Sequence, residues 1–218
     1  MKLLAQLAQA AFLLITALAV YSFVSAAREG ERLRVCTPLC HLKPDYAARN
    51  RVAPDFTVDT LAHGKVSLSS LRGKVVVLNF WTKNCRPCLE EMPALAEFAG
   101  TLRSSTDIVV LTVSTDENLE DVRATLQSVI GAGVPFIAGV DPESNIVADK
   151  YGTKLYPETW VIDPRGVIRA RFDGPRDWTS PLVRQLVTEL TEPLSCSVEF
   201  ESGRAVSDPA GTCDDASS

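Results

Sequence analysis

A chain of 218 residues has room for one ordinary domain with tails and hardly for two. With 46% hydrophobic and 22% charged residues it is a folding chain, which excludes wholesale disorder. The net charge of −5, with no cluster of Lys and Arg, sets nucleic acid aside as a partner.

Lys2 is the one charge before Arg28, and residues 10–27 are almost wholly apolar. At ~1.5 Å per residue a helix over that run reaches roughly 27 Å, close to the thickness of a bilayer's hydrocarbon. Residues 1–27 are therefore expected to be a transmembrane signal-anchor, or a signal peptide cut near Ser25, Ala26 and Ala27, not a core helix. Arg28, Arg32 and Arg34 follow the segment and favour the opposite topology, so orientation is weakly coded. Either route puts the globular part outside the cytoplasm, tethered to the cell membrane on the periplasmic side or released into the periplasm. An even count of six cysteines, at 36, 40, 85, 88, 196 and 213, fits pairing in an exported chain.

Residues 28–52 show no periodicity and read as a linker. Short alternating runs then meet His63-Gly64 and Arg72-Gly73, indicating a hairpin or two ahead of residue 74. Residues 74–81, KVVVLNFW, have the composition of a strand buried on both faces. Helical spacing follows over 88–103, with Leu89, Met92, Leu95 and Phe98 facing one way. A second buried strand spans 107–116. A helix over 118–131 places Val122, Leu126 and Ile130 four apart and stops at Gly131. A third strand covers 135–141 and a short helix 144–152. Residues 157–174 read as strand, Asp-Pro-Arg-Gly turn and strand, and a last helix runs over 178–192. Residues 193–218 are polar and turn-rich and read as a tail. The order βα, βα, βα, β, β, α predicts one α/β domain over 53–192, with a central mixed sheet flanked by helices. Its centre is expected to be largely parallel, with an antiparallel hairpin closing it.

The pair in Cys85-Arg86-Pro87-Cys88 falls where a buried strand gives way to a helix, the carboxyl edge where such folds place their chemistry. Cys85 is expected at or near the N-cap, where unpaired N–H groups and the helix dipole favour a thiolate; Arg86 adds positive charge. Pro87 costs nothing in a first helical turn. Cys88, one turn along and more buried, can resolve a mixed disulfide formed on Cys85. Zinc needs four ligands, and His41 and His63 are the only histidines, so no metal site is expected here.

The stretch VVVLNFWTKNCRPCLEEMP resembles the active-site segment of the thioredoxin superfamily, nearest its exported TlpA/ResA-like branch of thiol–disulfide oxidoreductases. The likeness covers about 53–192 and implies a thioredoxin-like fold with an N-terminal hairpin and, over 118–130, an inserted helix. Trp81 matches the family's tryptophan, Glu91 an acidic residue that helps tune the thiols, and Pro93 the proline that bends the active-site helix. In YPETWVID, the resemblance implies that Pro157 is cis and lies beside the reactive sulfur. Tyr156 before it would offer backbone hydrogen bonds, so Tyr156, Pro157 and Trp81 are the expected substrate-binding residues. Read without the resemblance, Pro157 is equally an ordinary trans residue at a strand's start. Two departures stand out: Asn84 replaces a tryptophan before the first cysteine, and Asn79 replaces the buried aspartate of cytosolic thioredoxins. Glu91 is then the remaining candidate base.

The resemblance implies an exported, membrane-anchored oxidoreductase acting on protein thiols and disulfides, apocytochromes and copper-site cysteines among them. The reductase direction is favoured, with a membrane protein as electron donor and no cofactor, because the dithiol itself carries two electrons. There are two rival readings. A peroxiredoxin-like peroxidase is partly mimicked by Thr82, three residues before Cys85; a copper chaperone would use the thiolates of Cys36 and Cys40. Cys196 and Cys213 read as a structural disulfide, worth about 3 kcal/mol for a loop slightly longer than ~15 residues. For Cys36 and Cys40 a tight disulfide is the simplest reading, with a second redox pair or a metal-binding arm including His41 as alternatives.

Overall fold

The computed structural model describes residues 14–24, 51–191, 199–201 and 204–207, together with residues 6 and 9. A hairpin of β1 (Thr57–Thr60) and β2 (Gly64–Ser67) leads through a 3-10 turn (Leu68–Leu71) to β3 (Val75–Trp81). Then come α1 (Arg86–Thr101), β4 (Ile108–Ser114), α2 (Leu119–Ile130), β5 (Ile137–Val140) and a π-type turn (Asn145–Lys150). The hairpin β6 (Glu158–Ile162) and β7 (Ile168–Asp173) and the helix α3 (Pro181–Glu189) complete the domain.

Seven strands form one sheet in the order β2-β1-β5-β4-β3-β6-β7. The pairs β3–β4 and β4–β5 are parallel, and β1–β2, β1–β5, β3–β6 and β6–β7 are antiparallel. The sheet is mixed as expected, but its parallel part is only three strands wide, because β1 joins β5 and β6 joins β3 in the reverse sense.

All seven residues of β3 are buried, and the strand's period of two divides them between the two halves of the core. Val75, Val77 and Trp81 join a cluster with Met92, Leu95, Phe98, Val122, Leu126, Trp178 and Leu186. Val76, Leu78 and Phe80 face Phe56, Val58, Tyr151 and Trp160 on the other side. Asn79 shares the first face, a lone polar residue in an apolar strand.

Local chemistry explains where several elements end. Pro181 opens α3, so the helix starts three residues after Trp178, which stays in the preceding turn, fully buried, 5.6 Å from the Phe98 ring. Asn118 caps α2 by accepting from Asp121 N, and Gly131, at φ 79°, ends it. The short helix over 144–152 is a π-type turn, held by the Asp141 carboxylate accepting from Ile146 N and Val147 N at 2.9 Å each.

The turn between β6 and β7 is organised by Asp163. Its Oδ1 accepts from Arg165 N and Val167 N, and its Oδ2 pairs with Arg169 Nε at 2.9 Å. A register shift at Val161/Ile162 puts Arg169 in the bulge, so this guanidinium is buried with its carboxylate. Gly166 sits at φ 81°, and a Cβ there would overlap the Arg72 guanidinium, which donates to Arg165 O.

Outside residues 53–191 three stretches carry described structure. Arg51 and Val52, at the end of the expected linker, pair with the β7 side through Ile168 N to Arg51 O and the Val52–Val167 bridge. The expected tail holds a two-stranded antiparallel ladder, β8 (Glu199–Glu201) with β9 (Arg204–Ser207). Residues 14–24 are helical, but among the described residues no helix is long and apolar enough to cross a membrane. Apart from residues 6 and 9, the rest of the expected anchor lies outside the described residues, as do Cys36, Cys40, Cys196 and Cys213.

Removing one member of a buried pair strands the other's charge, whereas exposed pairs contribute little. Asp163→Ala is expected to cost about 3–5 kcal/mol, and Asp59→Ala, which breaks the exposed pair with Lys65, about 0–1 kcal/mol. Urea unfolding of the oxidised protein measures both; comparable losses would contradict this ranking.

Candidate active site

Strand β3 delivers residues 82–85 to the carboxyl edge of the sheet, and a buried carboxylate fixes the path they take. Asp116, on the loop after β4, accepts from Thr82 Oγ1 at 2.8 Å and from Lys83 N at 3.0 Å through Oδ1. Its Oδ2 accepts from Ser114 Oγ at 2.7 Å. Lys83 Nζ reaches Glu117 and Asp121 at 2.6 and 3.1 Å, and these hydrogen bonds raise its proton affinity and keep it cationic. The loop before Cys85 is thus tied to the next βα corner by backbone, hydroxyl and ammonium. Thr82 O then accepts from Cys85 N at 3.1 Å, closing the turn into α1.

Cys85 is the N-cap of α1, in extended conformation, and its Sγ accepts from Cys88 N at 3.2 Å. That is the position of an oxygen-bearing cap residue, here filled by sulfur. Cys85 and Cys88 form a disulfide. Cys85 is half-buried and Cys88 is 0% exposed, so only the first sulfur is within a partner's reach. Arg86, expected to lend charge to the first sulfur, pairs instead with Glu90 at 2.7 Å on the exposed face, which offsets much of its field. Pro87 occupies the first helical turn, and Asn84 is exposed beside the pair.

Glu91, three residues after Cys88, neighbours it along the helix and is 6% exposed. Oε1 accepts from Asn79 Nδ2 at 3.0 Å and Oε2 from Arg176 N at 2.8 Å. Burial pushes its carboxyl above the ordinary glutamate range, and the bonds from Arg176 N and Asn79, the Trp178 indole and the Arg176 charge only partly hold it down. Asn79 Nδ2 also donates to Thr159 Oγ1 at 2.9 Å, and Thr159 is its register partner on β6.

The Tyr156–Pro157 peptide bond is cis. Since Phe80 pairs with Glu158, Pro157 lies across from Trp81, at the edge where the Cys85 loop leaves the sheet. Tyr156 is half-buried, and among the described residues neither its N–H nor its C=O makes a backbone hydrogen bond. Leu155, beside it, is 82% exposed. Trp81 departs from expectation: fully buried in β3, it packs beneath the site and offers no surface to a substrate.

The sequence reading missed Asp116, Thr159 and Arg176. Asp116 could have been found, as an acidic residue closing a strand at the same sheet edge as the cysteines. The contacts of Thr159 and Arg176 span tens of residues and follow from tertiary packing alone. Among the described residues, no cluster of His, Cys, Asp and Glu could hold a metal ion.

Comparison with known proteins agrees with this geometry. The profile of the AhpC/TSA family matches residues 50–171. The chain is 33% identical over 117 residues to the thioredoxin-like protein YneN of Bacillus subtilis, covering 54% of this chain and 66% of that one. It is 32% identical over 122 residues to the thiol-disulfide oxidoreductase ResA of Bacillus thuringiensis, covering 56% and 68%. Aligned segments therefore span about two thirds of these relatives' lengths. Among solved structures it resembles a putative thiol:disulfide interchange protein DsbE from Chlorobium tepidum, with TM-score 0.58, 25% identity, and coverage of 69% of this chain and 100% of that one. A putative protein disulfide isomerase from Bacteroides thetaiotaomicron is 31% identical, with TM-score 0.53 and coverage of 66% and 88%.

A buried carboxyl with a raised proton affinity weakens the fold as pH rises through its titration, since the folded state then holds a charge it disfavours. Glu91→Gln removes that penalty. In urea unfolding of the oxidised forms, the variant is expected to gain stability relative to the parent between pH 4 and pH 8. A difference that is constant or falls with pH would contradict the assignment.

Proposed function

We propose that the chain, which belongs to the AhpC/TSA family and is a ResA-like thiol–disulfide oxidoreductase with Cys85 and Cys88 as its redox pair, reduces disulfides of protein substrates outside the cytoplasm while tethered to a membrane by its N-terminal segment. The observation that carries this reading is the unequal burial of the two sulfurs, one reachable at a helix start and the other sealed behind it.

Starting from the dithiol, the Cys85 thiolate attacks one sulfur of a substrate disulfide, that S–S bond breaks, and the departing sulfur takes a proton. The substrate is now held to Cys85 by a mixed disulfide. Cys88 gives its proton to Glu91 and attacks the Cys85 sulfur. The Cys85–substrate bond breaks, the second substrate sulfur leaves and takes a proton from solvent, and two electrons have passed to the substrate. Tyr156, with unused backbone groups beside cis-Pro157, pairs with the extended substrate chain. A dithiol donor must then reduce the Cys85–Cys88 disulfide.

The reducing direction rests on the likeness to the TlpA/ResA-like branch. Support for the tether comes from residues 14–24, whose helix exposes Leu14, Ile15, Leu18, Tyr21 and Phe23. The peroxidase alternative loses its threonine: the single hydroxyl proton of Thr82 is committed to Asp116, so it is not free to donate to a peroxide.

Trapping tests the assignment of roles. Cys88→Ser is expected to accumulate substrate bound through Cys85, Cys85→Ser to trap none, and both to lose roughly a thousandfold or more of insulin-reducing activity. Equal trapping by the two variants, or peroxide turnover that survives Cys88→Ser, would overturn the reading. An equilibrium potential below about −230 mV fits a reductase and one near −120 mV an oxidant.

A further inference from the structure

Strand β3 reads Val-Val-Val-Leu-Asn-Phe-Trp, every residue buried, with Asn79 its only polar member. Asn79 is 0% exposed, and its Oδ1 accepts no hydrogen bond. A buried acceptor left empty costs stability, and an apolar side chain at this position would remove that cost. The amide's orientation is nevertheless dictated. The neighbouring Glu91 carboxylate, when ionised, can only accept, so Asn79 turns Nδ2 towards it, and it donates there and to Thr159 Oγ1. The donor side is used twice while the acceptor side is wasted, a pattern that serves the carboxylate and not the fold.

We infer that Asn79 is a positioning residue for proton transfer: its Nδ2 group holds the Glu91 carboxylate in place and sets how readily that carboxylate takes the proton of Cys88. This rests on the reading that Glu91 is the proton acceptor. Among the described residues, four elements of the surroundings bear on the Glu91 carboxylate. They are Asn79 on β3, the Arg176 backbone N–H and charge, and the Trp178 indole, whose Nε1 makes no hydrogen bond of good geometry; Cys88 lies three residues before Glu91 on α1. Arg176 is the one cation among them, and its guanidinium lies over the Phe172 ring, 4.6 Å from the ring centroid. Among the described residues, Asn79 is thus the only side-chain donor in hydrogen-bond geometry with the carboxylate. Deleting it disfavours the ionised form and leaves the proton on Glu91 to higher pH. The balance of the step is unchanged: the proton leaves Cys88 Sγ for a Glu91 oxygen, and the thiolate formed displaces the substrate sulfur from Cys85.

The titration of Glu91 is read directly from its carboxyl carbon by NMR in the oxidised full chain. In Asn79→Leu the midpoint is expected to rise by about one pH unit or more, a tenfold or greater gain in proton affinity. Asn79→Ala, which removes the donor without adding bulk, is expected to shift it the same way should the leucine disturb packing. The turnover–pH profile of insulin reduction should move with the midpoint in these variants. Adding Asn79→Leu to Glu91→Gln should cause no further displacement. A midpoint within half a unit of the parent's in both Asn79 variants overturns the inference. A parent-like profile in Glu91→Gln instead overturns the role given to Glu91 in catalysis, and the hold of Asn79 on that carboxylate is then judged by the carbon titration alone.

Discussion

Everything in this molecule that bears on chemistry depends on how α1 begins. A helix leaves its first N–H groups without partners, and the chain fills one of those vacancies with the Cys85 sulfur, which accepts from Cys88 N. A side chain that caps a helix is held at the surface end of the element, while a residue one turn on points into the core. One piece of local geometry therefore makes Cys85 reachable and Cys88 inaccessible. The sheet supplies the rest. Parallel pairing of β3 with β4 brings the Asp116 corner against residues 82 and 83, and antiparallel pairing of β3 with β6 brings Pro157 across from Trp81.

Polar groups inside the domain divide into two kinds. Asp163 and Arg169 satisfy each other and the β6–β7 turn, and Asp141 caps the π-type turn, so these groups serve the architecture. Asn79 and Glu91 are less well provided for: one acceptor is empty and one carboxyl is raised by burial. Stability given up next to a reactive thiol, in a strand that is otherwise uniformly apolar, is the distribution expected where activity needs a group that can change protonation.

Much of this was legible in the sequence because the informative signals were local. Seven consecutive apolar or amide residues announced β3, the two cysteines three apart at its end announced the reactive corner, and Asp-Pro-Arg-Gly announced the β6–β7 turn. Helix ends were less legible: Pro181 places the start of α3 later than periodicity alone indicates, since Trp178 belongs to the apolar pattern but not to the helix. Trp81 was read as a contact residue from the resemblance, yet the strand's two-sided burial seals it. The partners of Glu91 were out of reach, because Asn79 and Arg176 meet it across 12 and 85 positions of chain. The charge of Arg86 was read from its place between the cysteines; its pairing with Glu90 one turn along is a geometric fact that spacing allows but does not compel.

The most direct measurement is the order in which the two thiols of the reduced protein react with a small alkylating agent near neutral pH, resolved by mass spectrometry of the labelled peptides. If the helix start divides the pair as described, Cys85 is modified at least about tenfold faster than Cys88. Equal rates, or faster modification of Cys88, would contradict the account.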